Sequence, residues 1–194
     1  MTTEPDENIP SRWTKSTGYR DMWVDEAEDP RESGDEAATD ERGILLDYLH
    51  RYRLTLEMKC ADLDAEQLAR RSVPPSTMSL LGIVRHMAEV ERHWFRRVMA
   101  GEDVPRRYAG RDADWDGAIA DPDVVADAWA AWTAEVEVAK AFVDATDDLG
   151  TLAAVQDDQP LQLREVLVHM IEEYARHCGH ADLLRERVDG RTGQ

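Results

Sequence analysis

LREVLVHMIEEYARHCGHADLLRERVDGRTG, residues Leu163 to Gly193, decides the fold. Leu163, Val166, Met170, Tyr174, His177, Ala181, Leu184 and Val188 recur at steps of three and four, so they share one face of a helix. The pattern predicts a helix over about 161–188, with Gly190 as its stop signal. On a wheel of roughly 100° per residue, His177 falls near the centre of the apolar stripe. Glu173 and His180 lie within roughly 20° of each other, about 40–60° to one side of it. Glu173/His177 and His177/His180 have i,i+4 and i,i+3 spacing, so either pair can hold one cation from a single helix. A third ligand must then come from another helix.

Working outward, three more helices are expected. Leu45, Tyr48, Leu49, Tyr52, Leu56, Cys60 and Leu63 form a stripe over about 40–62, with Thr39 or Asp40 as cap. The prolines of SVPPSTMSLLG (72–82) force a break. Ser79 or Thr77 then caps a second helix running to Gly101, with the stripe Leu80, Val84, Met87, Glu91, Trp94 and Val98. Glu91 alone interrupts it, either at the stripe's edge or as part of a buried site. A polar connection over about 102–121 leads to a third helix from Pro122, a residue suited to a first turn. Val125, Trp129, Trp132, Val136, Ala139 and Val143 carry it to about Ala145. DDLGTLAAVQDDQP (147–160) joins it to the fourth. No strand signal competes, so the expected fold is all-α, a four-helix bundle over residues 40–194, where sites are built from inward side chains on facing helices.

The chain has 194 residues and a formal net charge of -18. That charge argues against nucleic acid or an anionic membrane as partner. No apolar run has membrane-spanning length, and the opening MTTEPDENIPSRW lacks the apolar core of a signal peptide. Cys60 and Cys178 show no pairing pattern and are read as reduced thiols of a cytoplasmic protein. Residues 1–40 hold 12 acidic against 4 basic side chains. Apolar periodicity is missing there, so residues 1–39 are expected to form an acidic arm, either disordered or docked through Trp13, Tyr19 and Trp23.

In the second helix His86 lies near the edge of the stripe, roughly 120° from its centre. A seam between the second and fourth helices brings His86 to the sector of Glu173, His177 and His180. Three protein ligands with an open position is the arrangement of a catalytic divalent-metal site. His93, His50 and His169 have no matched partner and are read as structural. Cys178 points roughly 100° from His177 and is read as a packed thiol. DADWDGAIADPD (112–123) resembles a calcium loop in part, but its last acid is an Asp rather than a long Glu, and a solvated acidic loop is the expected reading. No nucleophile elbow or phosphate-cradling loop is present.

SLLGIVRHMAEVERHWFRRVMAGE (79–102) and LREVLVHMIEEYARHCGHADLLRERVDGRTG together resemble the DinB/YfiT-like superfamily, most closely its actinobacterial branch sometimes called mini-circle proteins. The resemblance covers about residues 40–193. It implies a four-helix bundle, often a dimer, with a divalent metal held by one histidine of the second helix, matching His86, and two ligands of the last helix. Many members use two histidines there, which points to His177 and His180. The mycothiol-dependent isomerase branch looks different, with a glutamate and a histidine one turn apart, which points to Glu173 and His177. Imidazole suits the late first-row metals, zinc or nickel, so His180 is preferred and Glu173 stands as alternative or additional ligand. Here GHADLL replaces the HHRGQ ending usual in the superfamily.

Resemblance to thiol S-transferases implies a low-molecular-weight thiol such as mycothiol, activated at the metal, and a small electrophile as partners. A second copy of the chain, in a homodimer, is a further candidate partner; a non-catalytic metal-binding or stress-response protein and a metal-dependent hydrolase remain the alternatives to a transferase.

Overall fold

In the computed structural model, residues 24, 29–31, 38–155 and 160–193 are described. Trp13, Tyr19 and Trp23 lie outside them. The helices are α1 Glu41–Cys60, α2 Ala65–Ala69, α3 Leu80–Glu91, α4 Ala113–Asp116, α5 Pro122–Asp144 and α6 Leu163–Asp189. α3 runs without a break into a π-helical stretch, Arg92–Met99. α1, α3 with its extension, α5 and α6 are the four long members of an all-α bundle. α1 packs chiefly on α6 and α3 on α5, while α3 also meets α6.

Capping chemistry sets the boundaries. Asp40 Oδ1 accepts from Gly43 N at 2.7 Å and Ser79 Oγ from Gly82 N at 3.1 Å, each satisfying a first-turn donor. Asp121 caps α5, with Pro122 at its first position. α6 ends at Gly190, whose φ of 80° suits a residue without Cβ. The short helices α2 and α4 have too few residues to show a periodic stripe. α2 is held by a capping box between Asp64 and Gln67.

Two expectations are corrected. Tyr48 is 55 % exposed, because α1 turns Leu49, Arg53 and Leu56 inward instead. In the second long helix the buried row does not continue from Glu91 to Trp94 and Val98; it passes to Phe95 and Met99. The π-helical stretch, with Ala100 N bonded to Phe95 O at 3.0 Å, inserts one residue into the row. Trp94 and Val98 are left partly buried at the core's margin.

Glu91 is fully buried at the bundle's centre. Arg53 of α1 donates to it bidentately, Nε to Oε1 at 2.9 Å and Nη2 to Oε2 at 2.8 Å. The Tyr174 hydroxyl of α6 donates to Oε1 at 2.7 Å and accepts from Trp132 Nε1 of α5 at 2.8 Å. One chain of bonds therefore touches all four long helices. Burial pushes the Tyr174 phenol well above its ordinary pKa, which keeps it a donor.

Removing one partner of such a buried pair leaves the other charge uncompensated. Arg53→Met is expected to destabilise the protein by about 3–5 kcal/mol. Trp132→Phe, which removes the hydrogen bond to Tyr174 and part of a buried ring while Arg53 and Tyr174 still hold Glu91, should lose less, about 1–2 kcal/mol. Urea unfolding with a common slope measures both; equal losses would deny the network its central role.

Candidate metal centre

α3 and α6 meet where His86 faces the middle of α6. The rings of His86 and His177 lie 4.7 Å apart between centroids. His177 is 7 % exposed, as its place in the apolar row requires. Its Nε2 is 3.6 Å from Glu173 Oε2, and its Nδ1 is 3.4 Å from His180 Nδ1. Among the described residues, His86, Glu173 and His177 offer ligand atoms that all lie within 4.8 Å of one another. His180 stands beside this trio, on the opposite edge of the His177 ring from Glu173.

The electrostatics leave lone pairs available. Burial, then the neighbouring His86 and His180, push His177 down to about 3. It is neutral at pH 7, so its approach to Glu173 is no ion pair. His86 Nδ1 lies 2.8 Å from Asp114 Oδ2. That bond holds the Asp114 carboxyl below its usual range, so the group is ionised and only accepts. His86 Nδ1 is therefore the donor in this bond, and Nε2 is the ring nitrogen directed away from that carboxylate. A carboxylate behind a histidine is the usual support of a metal-bound imidazole. Two imidazoles, a carboxylate and this support fit a divalent cation of the N/O-binding type.

Asp114 escaped the sequence reading. It sits in the acidic loop, but α4 turns it inward to 5 % exposure. The loop's other acids go elsewhere. Asp116 pairs with Arg71 at 3.0 Å, and Asp121 caps α5. Asp112 takes a left-handed conformation with φ of 62°, which turns the chain into α4. Arg85 pins α4 from α3, donating from Nε to Asp114 O at 2.9 Å and from Nη2 to Ala113 O at 3.1 Å. Trp115 stacks on His86 at 5.0 Å and leans on Gly82, where any Cβ would strike its ring. The available signal was Gly82 within α3 and the tryptophan in the loop.

The remaining candidates separate. His93 is exposed, beside Trp94. His50 lies near Arg53 and Lys140, away from the trio. His169 is nearer the site than the sequence implied: its Nε2 is 3.5 Å from Glu173 Oε1, and its ring lies 4.5 Å from that of Trp94. Cys178 is buried, its Sγ 3.7 Å from Tyr52 O, and burial raises its thiol to about 12.

The model of the family described as Mycothiol-S-transferase, a DinB/YfiT-like family, matches residues 44–190. No curated protein matches the sequence. Among solved structures, a conserved protein of a locus from Enterococcus faecalis is similar, with a TM-score of 0.56 and 17 % identity over 79 % of this chain and 99 % of that one. At that identity the likeness is one of fold.

Two outcomes are expected of the site. Asp114→Asn, which keeps size but loses the charge behind His86, should weaken zinc binding by about 10–100-fold without loss of helicity, measured by competition with a chromogenic chelator. In metal-free protein, the unfolded chain takes up a proton on His177 below its ordinary 6.5, which the folded chain refuses until about 3. Stability should therefore fall as pH drops from 6.5 towards 3, and less steeply in His177→Gln. Parallel urea-midpoint profiles for the two proteins would refute the buried neutral imidazole.

Proposed function

We propose that this chain, which belongs to the mycothiol-S-transferase family, transfers a low-molecular-weight thiol, mycothiol by preference, to a small electrophile at a divalent metal held by His86, Glu173 and His177. The observation that carries the reading is the approach of those three ligand atoms within 4.8 Å of one another. Zinc or nickel would suit two imidazoles and a carboxylate, and three protein ligands would leave the cation accessible to a substrate. His180 would take the supporting place: its Nδ1 lies 3.4 Å from His177 Nδ1, on the edge of the ring away from Glu173.

A cation bound there supplies positive charge that keeps a thiol ionised well below its free pKa of about 8.5. The chain's own residues do the rest. Asp114 and His180 fix the two imidazoles by their rear nitrogens, so the ligand set is preformed rather than assembled on binding. Trp115 covers His86 and approaches His177 to 6.2 Å, which keeps water from that side. His86 also lines a cleft open to solvent, through which the thiol proton leaves. The sulfur then forms its bond to the electrophilic carbon, and the leaving group departs with the electron pair of the broken bond. No protein nucleophile is required.

Metal-loaded protein is expected to conjugate mycothiol to monochlorobimane, with mycothiol preferred over glutathione. The advantage over the uncatalysed reaction should be largest near pH 6–7, where the free thiol is mostly protonated. His86→Ala and His177→Ala should lose both stoichiometric metal and activity, while His93→Ala keeps both. Glu173→Gln should release metal while His180→Ala retains most of it; the reverse would give the third ligand place to His180. Background rates from a fully metal-loaded wild type, across several electrophiles, would overturn the transferase reading.

A further inference from the structure

Beside the candidate metal centre, α3 and its π-helical extension carry a cleft of about 450 Å³, a size that suits a small organic molecule. His86 forms its inner end, Trp94 a wall, and Glu89, Arg97 and Arg106 its charged lining. The charges do not cancel. Glu89 is buried and both its oxygens are taken, Oε1 by Arg97 Nη2 at 2.5 Å and Oε2 by the Arg107 backbone N–H at 2.9 Å. Arg106 reaches the same carboxylate only at 3.6 Å, beyond hydrogen-bond range, and its side chain is half exposed. Arg97 Nε is buried without an acceptor among the described residues. Within the lining one carboxylate thus faces two guanidiniums, with Asp114 behind His86 also in the field of Arg106, in a chain whose net charge is -18. A general attraction for cations would not build that cleft.

We infer that this cleft selects an electrophile bearing a carboxylate, which Arg106 and Arg97 bind while the unsaturated or aromatic body lies along Trp94 towards His86. The inference rests on the transferase reading and names its substrate class. Guanidinium donors match carboxylate geometry, and the indole offers a flat apolar wall. The thiol is not the anion in question, since mycothiol, an N-acetylcysteine amide of an amino sugar linked to inositol, has no carboxylate.

The test uses 4-(chloromethyl)benzoate and its methyl ester as electrophiles, with 4-methylbenzoate and 4-methylbenzamide as unreactive probes. Wild type should use the acid at a lower KM than the ester. Arg106→Gln, a half-exposed position whose replacement spares the core, should raise the KM for the acid by about tenfold, the loss of roughly one charge-assisted hydrogen bond, and leave the KM for ester and mycothiol unchanged. Binding of the probes, followed by NMR without thiol, separates this from activity. 4-Methylbenzoate should bind more tightly than the amide in metal-loaded and in metal-free protein, and Arg106→Gln should erase the difference. Equal binding of acid and amide, or an acid preference that disappears with the metal, would overturn the inference, the second by showing that the carboxylate goes to the cation. Conjugation of neither electrophile with intact carboxylate binding would sink the transferase reading and leave the cleft's anion preference standing.

Discussion

The bidentate bond between Arg53 and Glu91 is the constraint on which the rest of the bundle depends. A carboxylate with no exposure at the centre of a helical core is costly unless every lone pair is engaged. Here Arg53 and Tyr174 engage it, and Trp132 completes the phenol. An apolar core tolerates small slides of one helix past another, because dispersion is not directional. This chain of bonds does not. Each of the four long helices contributes one member, so a slide by one turn would leave a buried charge unpaired.

That register decides the geometry of the candidate site. His86 lies five residues before Glu91 on α3, about 7.5 Å along the axis. His177 lies three residues after Tyr174 on α6, about 4.5 Å along its own. The hydrogen bond from Tyr174 to Glu91 therefore fixes the separation of the two imidazoles through short, rigid helical spacers. A trio gathered within 4.8 Å from two helices needs such fixing, because each ligand distance of a metal site is set to within tenths of an ångström. The buried pair is thus better understood as a specifier of alignment than as a source of stability.

Most of the bundle was legible because its signals are local and periodic. α6 buries every residue of its sequence stripe from Leu163 to Leu184, and the caps at Asp40, Ser79 and Gly190 are where side-chain chemistry places them. Glu91 was legible as an interruption, but its partners were not. Nothing local marks Arg53 and Tyr174 as its neighbours, since they lie 38 and 83 residues away. The same limit hid Asp114. Its role depends on α4 folding back on α3, and that depends on Gly82 leaving room for Trp115. His86 and the sector of Glu173, His177 and His180 could be read from helix geometry. The order of Glu173 and His180 around His177 could not, because both occupy one side of the wheel and differ only in which ring nitrogen they approach.

The π-helical stretch links this core to the cleft. In an uninterrupted α-helix, position 94 falls seven residues after Met87 and returns to the same buried face. The inserted residue gives that place to Phe95, and Met99 follows. Trp94 is rotated outward to the margin, where it meets His169 and walls the cleft. Arg92 turns to Glu135 of α5, and Arg97 returns to Glu89 about two turns earlier. The lost α-helical bonding at the end of the stretch is partly made good by the 151–155 segment, whose Ala154 and Val155 amides bond Met99 O and Val98 O. A single-residue insertion in helix register thus leaves Trp94 and Arg97 lining the cleft and turns Arg92 to α5, while Glu91, the last residue before it, stays locked into the bonds that join all four helices. The cleft therefore spans that residue, with His86 and Glu89 supplied by the regular α-helix before it and Trp94 and Arg97 by the π-helical stretch after it.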